Sequence, residues 1–461
     1  MNNNNYYLTK FTLFFFFLYF CSKFSYFEMK HFYKLLIILV IVLLGLCTYI
    51  YIKGKNTDYG HKVVICIPVY GQSYALGEEA IRITDFDSLR INYNGRIVTE
   101  HLDYAFGYFD PTSRLKQYIK RLFHYNKRSF ELSIYGMAES LALNTGEDTI
   151  ICIFQGGLGM QPIKKLMKDS SPYNKFLEEI TCAYKKAQER GWHFNIPAVC
   201  WMQGESDIAD YPGTSYKALL KQMHQDLNAD IKSITHQSND IRFISYQTNI
   251  VTRGKNYKPN HFNGIEAQTP QAQMELIRDD TLFWASGPMY PYSFVNESLH
   301  PDGISQKRFG YLVAESVIDL LHHEKRFIGV VPIKTDIKEN EVRILFNVPC
   351  PPLYFDTVSV KKVNNYGFNV IRKDNVDIVS DIYLDGDTVI IKCCESPIGC
   401  KIRYAVNGEY MKSGWRIGPR GNLRDSQGDY IQIDILDKVY SLHNWCFQFD
   451  YNLSKKYNLN M

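Results

Sequence analysis

The chain has 461 residues, 46% hydrophobic and 22% charged, with a formal net charge of +4. That length exceeds one ordinary domain, and the composition is that of a globular protein. The near-neutral balance and the lack of any basic run exclude nucleic acid as an expected partner.

The N-terminus differs from the rest. Leu35 to Ile52 is an uncharged run of 18 residues preceded by Lys30 and Lys34, long enough to cross a bilayer. Met29 opens a conventional leader, so residues 1–28 read as an upstream extension. No small-x-small site follows the run, which favours an uncleaved anchor over a cleaved signal peptide. Residues 1–55 are therefore assigned as leader or membrane anchor, with the remainder outside the cytoplasm.

From residue 56 to 325 apolar runs alternate with helical patterns. Strands are expected at Val63–Val69, Thr149–Phe154, Phe194–Met202, Ile241–Tyr246 and Thr281–Ala285. Helices are expected at Glu131–Leu143, Tyr173–Arg190 (with Gly191 as its stop), Tyr216–Ile234 and Ile304–His323. Strands without polar alternation, each followed by a helix, predict a parallel sheet covered on both faces. Asp85–Asn126 breaks the rhythm and is expected to loop around an active site.

From 326 to 461 the texture is all-β and sandwich-like, with short runs at Phe327–Pro332, Val342–Phe346, Thr357–Val363, Thr388–Cys393, Ile402–Val406 and Tyr430–Ile435. Among the 11 cysteines, Cys66, Cys152 and Cys200 read as small buried hydrophobes. Cys393, Cys394 and Cys400 flank a turn that a hairpin disulfide could close in an oxidising compartment. No C-x-x-C or H-E-x-x-H spacing occurs, so no metal site is expected. Arg420, Arg424 and Asp425 are expected to form an internal turn rather than a substrate contact.

Three polar blocks stand at the edges of apolar elements, where an open α/β sheet binds ligands. They are Gly71-Gln72-Ser73, Trp201-Met202-Gln203-Gly204-Glu205-Ser206-Asp207, and Leu299-His300-Pro301-Asp302-Gly303. A serine needs a base to act as nucleophile, and His300 is the candidate. An acid must hold the other imidazole nitrogen; Glu297, three residues before His300, and Glu205 are both candidates. The Gln203 amide is a neutral donor suited to an oxyanion hole, and Gly156-Gly157 exposes backbone N–H groups for the same purpose. Gln72 and Tyr74, on either side of Ser73, are assigned to substrate contact. Each residue alone also has an ordinary reading: Ser73 as a turn serine, His300 as a loop histidine, Asp207 as a helix cap.

Together these blocks resemble the SGNH hydrolases, most closely the sialate O-acetylesterase-like branch and the carbohydrate esterase family six acetylesterases. W-x-Q-G-E-x-D is the most specific of the motifs. The resemblance covers about residues 62–325 and implies a flavodoxin-like three-layer domain. It implies Ser73 as nucleophile and His300 as base, with an oxyanion hole of the Ser73 N–H, a Gly156 or Gly157 N–H and the Gln203 side chain. Tyr74 stands where that branch usually has asparagine, and Glu297 where it has aspartate. The expectation is a cofactor-independent esterase that removes O-acetyl groups from a carbohydrate. A non-catalytic carbohydrate-binding protein and an acetyltransferase on the same scaffold are the alternatives. The sequence leaves the sugar and the oligomeric state open.

Overall fold

The computed structural model describes residues 37–45, 60–99, 130–210, 215–250, 257–323 and 326–454. Of the apolar run at 35–52, residues 37–45 are helical and Ile37 to Leu44 are exposed. Among the described residues no helix is long and apolar enough to cross a membrane; the rest of the run lies outside them.

Nine parallel strand segments build the N-terminal part: β1 (Val63–Cys66), β2 (Val69–Gly71), β3 (Ile97–Thr99), β4 (Thr149–Ile153), β5 (Gln155–Gly157), β6 (His193–Asn195), β7 (Ala198–Met202), β8 (Arg242–Gln247) and β9 (Phe283–Pro288). One sheet runs β3-β4-β1-β6 and the next β5-β2-β7-β8-β9. The two are stretches of the same chain passages, because β1 leads into β2, β4 into β5 and β6 into β7. Pro68 and Pro197 stand at two of the breaks, and a proline has no N–H to continue a ladder.

Successive strand residues point to opposite faces, and both faces are covered. Val199, Trp201, Phe243 and Phe283 pack with the apolar stripes of α3 (Ser171–Glu189), α5 (Tyr216–Thr235) and α6 (Gln268–Asp279). Ala198, Cys200, Met202, Ile244 and Trp284 pack with α2 (Ser133–Leu143) and α7 (Gly303–Ile318). This three-layer α/β arrangement is the one expected. Ser170 caps α3 through Tyr173 N–H at 3.4 Å. Gly191 ends it with φ +69°, the left-handed conformation that glycine adopts without penalty.

Two regions depart from expectation. Asp85–Asn126 is not loop throughout: α1 (Phe86–Asn92) and edge strand β3 occupy its first part, while residues 100–129 lie outside the described residues. Helix α6 is not anticipated by the sequence reading, because its sequence is polar and carries Pro270 in the first turn, where proline is tolerated.

The C-terminal part is antiparallel. One sheet orders β10 (Val331–Lys338), β11 (Glu341–Asn347), β15 (Thr388–Cys393) and β14 (Val379–Asp385); another orders β13 (Phe368–Ile371), β16 (Lys401–Tyr404) and β20 (Phe449–Asn452). Val342, Ile344, Val389 and Ile391 of the first share a core with Phe368, Val370, Ile402 and Phe449 of the second. Short pairs β12 (Tyr354–Phe355) with β17 (Leu423–Arg424) and β18 (Gln432–Ile435) with β19 (Lys438–Ser441) complete it. The run Thr357–Val363 is a turn rather than a strand: Asp356 Oδ1 accepts the N–H groups of Val358 and Ser359 at 2.9 and 2.8 Å. Such side-chain capture competes with the ladder. Cys393, Cys394 and Cys400 are unbridged.

Candidate active site

The site lies at the carboxyl ends of β2, β5 and β7. Gly71 pairs with Gly157 on one side and Met202 on the other. A Cβ on Gly71 would lie 1.9 Å from the Met202 carbonyl oxygen, and one on Gly157 would lie 1.8 Å from that of Gly71. Only glycines allow three backbones to converge so closely. Leu158 N–H donates back to Gly71 O at 3.1 Å.

Ser73 opens the turn that follows β2. Its carbonyl accepts from Glu78 N–H at 3.1 Å, and Gly77 N–H donates to Tyr74 O at 3.3 Å. The turn is pinned to α2: Glu131 N–H donates to Ala80 O at 3.0 Å, while Glu131 Oε2 accepts Ile83 and Thr84 N–H, both at 2.9 Å. Burial pushes the Glu131 carboxyl above the usual range against those hydrogen bonds. Ser73 is recessed, with 1% of its surface exposed.

The motif after β7 is a buried brace. Gln203 is 0% exposed, and its Nε2 donates to Asp207 Oδ2 at 2.6 Å and Gln161 O at 3.1 Å. Tyr216 Oη lies 3.0 Å from Gln203 Oε1 and receives Trp201 Nε1–H at 3.2 Å. Both amide hydrogens of Gln203 are therefore engaged inside the protein, and the expected oxyanion donor is a structural tie instead. Asp207 Oδ2 also accepts Ile163 N–H at 3.0 Å, so it links β7 to the loop after β5. Gln72 is buried as well. Its Oε1 receives Gly204 and Ser206 N–H at 3.5 and 3.4 Å, at the start of α4 (Glu205–Asp210). Its oxygen thus caps the start of that helix.

Glu205 does not reach the imidazole. Both its oxygens accept from Tyr246 Oη, at 2.7 and 2.6 Å, and Asn249 N–H approaches at 3.3 Å. Burial raises its carboxyl above the ordinary range, and these hydrogen bonds pull the other way. Glu297 does not reach it either; its carboxylate lies 3.6 Å from Arg416 at the surface.

His300 sits in a loop closed by the Phe294–Pro301 bridge and by its own carbonyl, which accepts Val295 N–H at 2.8 Å. Asp302 then caps α7 through Ser305 N–H at 2.8 Å. The imidazole is faced by two carboxylates from the Ser73 turn. Nδ1 is 2.7 Å from Glu79 Oε2, and Nε2 is 3.9 Å from Glu78 Oε2. Nε2 is buried and has no hydrogen-bond partner.

Tyr74 joins the two loops. Its hydroxyl donates to Leu299 O at 2.5 Å, its ring meets the His300 ring at 6.0 Å and 65°, and its carbonyl accepts from Gln306 Nε2 at 3.1 Å. Buried in this way, it positions the histidine loop and does not face a substrate. The structure thus brings Ser73 and His300 to one place through adjacent residues. It leaves Glu205, Gln203 and Gln72 beneath the site as scaffold and Glu297 to one side. Glu79 is the residue that sequence reasoning misses. It stands 221 positions from His300, and no local spacing signals the contact. Arg420 and Arg424 form the internal contacts expected of them, to Lys361 O at 2.9 Å and Asp356 Oδ2 at 2.8 Å. Among the described residues no cluster of metal-ligating side chains occurs.

Residues 134–319 match the family model of carbohydrate esterases described as sialic acid-specific acetylesterases. That span holds Gly156, Gly157, the Trp201–Asp207 motif and His300, and begins after Ser73 and Glu79. No curated protein matches the chain significantly. Among solved structures, a carbohydrate acetylesterase from Xanthomonas citri is similar with a TM-score of 0.53 and 14% identity, over 84% of this chain and 80% of that one. A protein from Arabidopsis thaliana has a TM-score of 0.39 and 15% identity over 55% of this chain and 98% of that one. NanS has a TM-score of 0.39 and 13% identity over 58% of this chain and 99% of that one. At 14% identity the likeness to the Xanthomonas structure is one of fold. Over residues 134–319 the chain therefore resembles the sialic acid-specific acetylesterases by family match, and an esterase role has that support.

Proposed function

We propose that this protein is a serine esterase that removes O-acetyl groups from a carbohydrate. The observation that carries the reading is the buried, unpartnered Nε2 of His300, held beside the Ser73–Tyr74 turn while Nδ1 meets a carboxylate. A nitrogen so placed is ready to take a proton from a hydroxyl. In the reaction Ser73 Oγ attacks the acetyl carbonyl as His300 Nε2 accepts its proton. The tetrahedral oxyanion is held by the Ser73 N–H and a Gly156 or Gly157 N–H. Collapse expels the sugar oxygen, which takes the proton from His300, and leaves acetyl-Ser73. Water, deprotonated by His300, then releases acetate.

An acetylated sialic acid as substrate is supported by the family match, whose name specifies sialic acid; acetylated polysaccharides fit the same chemistry. The apolar run at 35–52, helical and exposed over residues 37–45, supports a tethered or exported enzyme. The test is acetate release from a chromogenic acetyl ester and from acetylated glycans by the chain and its Ser73→Ala variant. The variant should lose at least about 10³-fold in kcat, as nucleophile removal does in serine hydrolases. Equal turnover by both would end the reading, and acetyl transfer to a sugar acceptor faster than hydrolysis would replace it with a transferase.

A further inference from the structure

We propose that Glu79, delivered by the nucleophile's own turn, is the carboxylate that positions His300 for catalysis; this rests on the esterase reading above. Two acids suggest themselves from sequence, and neither touches the ring. Glu205 spends both oxygens on Tyr246, and Glu297 lies against Arg416 at 3.6 Å. Glu79 Oε2 stands 2.7 Å from Nδ1, the distance of a charge-assisted hydrogen bond. That bond fixes the tautomer with the proton on Nδ1 and leaves the Nε2 lone pair open, which is the form a general base requires.

The backbone is held for this purpose. Glu79 has φ +65°, a left-handed conformation that a residue with a side chain seldom adopts and that persists only where its surroundings impose it. Here the surroundings do so on both sides. A Cβ on Gly77 would lie 2.2 Å from Glu131 O, so the turn is pressed on the segment that leads into α2. Ala80 N–H donates to Gly77 O at 3.1 Å, closing the turn around Glu79. The acid and the nucleophile are thus six positions apart on one rigid turn, and the base docks on that turn through Glu79 and Tyr74. Detaching the histidine loop would separate the base from both its orienting acid and the serine in one movement.

The Glu79 side chain is 57% exposed, so water competes for its carboxylate more than for a buried triad acid. The expected loss is accordingly nearer about 10²-fold than the 10⁴-fold seen when a buried aspartate is neutralised.

The test compares the full chain with Glu79→Ala, Glu79→Gln and Glu297→Ala on a chromogenic acetyl ester. Glu79→Ala should lose about 10²-fold in kcat with KM little changed, as expected when an orienting group is removed. Glu79→Gln should fall between, since its amide oxygen accepts the Nδ1 proton without charge. Glu297→Ala should stay near wild type. A second readout needs no turnover: a downfield Nδ1–H proton resonance of His300, present in the wild type and absent in Glu79→Ala. Full kcat in Glu79→Ala, a larger loss in Glu297→Ala, or a resonance that survives in Glu79→Ala would overturn the assignment. A wild type inactive on all esters would defeat the esterase reading alone, and the resonance would still decide the contact.

Discussion

At the scale of single residues, the site is surrounded by buried polar groups that hold shape. Glu205 shows this best. Its carboxyl is pushed above the ordinary range by burial and drawn back by the Tyr246 hydroxyl and Asn249 N–H. An acid whose folded pKa is raised binds protons more tightly in the folded state. Its contribution therefore favours folding at low pH and is lost as pH rises through the folded value. Tyr246→Phe removes the hydroxyl, raises that value further, and leaves a buried carboxylate short of a donor at a cost of about 1–3 kcal/mol. The expected outcome is a lower Tm, with the deficit growing as pH rises through the wild-type folded value, which lies above the ordinary carboxylate range, while kcat stays near wild type. Denaturation curves at several pH values with parallel kinetics would check it. A large fall in kcat with unchanged Tm would return Glu205 to the catalytic machinery.

At the scale of elements, the placement of His300 depends on how closely α7 meets α2. A Cβ on Gly310 would lie 1.9 Å from Ser133 O, and one on Gly136 would lie 2.2 Å from Lys307 O. Backbone therefore meets backbone at this crossing, with no side chain between. Gly310→Val must separate the helices, and overpacking of this kind costs typically about 1–3 kcal/mol or more. Because α7 begins just after His300, the same variant should also weaken the His300–Glu79 contact. Thermal unfolding and the His300 proton resonance would both report it; an unchanged Tm would show that the crossing can relax. Elements also explain where sequence patterns mislead. Thr357–Val363 has strand-like residues, but one aspartate capturing two N–H groups turns it. Helix α6 has a polar sequence, yet its own Met274 and Ile277 form a buried apolar face that holds it to the core.

At the scale of the molecule, the parallel and antiparallel parts are bonded through their interiors. Met274 and Ile277 of α6, Ala285 of β9 and Tyr290 belong to the same apolar cluster as the C-terminal sheets. Gln247 and Gln448 exchange hydrogen bonds, each at 2.7 Å. Arg403 of β16, fully buried, meets Glu266 Oε1 at 2.7 Å and Asp450 Oδ2 at 3.0 Å. Burial raises the Asp450 carboxyl, and Arg403 opposes that. Arg403→Met would leave Glu266 buried without its cation, which costs about 3–5 kcal/mol, while Asp450 keeps Lys401 at 3.2 Å. The expected result is one cooperative transition at lower denaturant for both parts. Two separate transitions would show that the parts fold independently.

The sequence by itself determined the alternation of apolar strand and amphipathic helix, and with it the three-layer α/β part and the antiparallel part after it. Those patterns are local, because period and capping are set by neighbours in the chain. It also marked Ser73 and His300, since polar residues at the ends of apolar strands are costly unless they are used. The functions of the residues around them were decided by tertiary structure. Gln203 and Tyr74 carry donors and Gln72 an acceptor suited to a site, but such groups are spent on whatever lies nearest: Gln203 and Tyr74 donate to Asp207 and Leu299, and Gln72 accepts from Gly204. The acid beside His300 was beyond reach for the same reason. Glu297 is close in sequence and Glu205 is in the most distinctive motif, yet hydrogen bonding acts over about 3 Å of space. Only the folded chain brings Glu79, from the far end of the domain, to that distance.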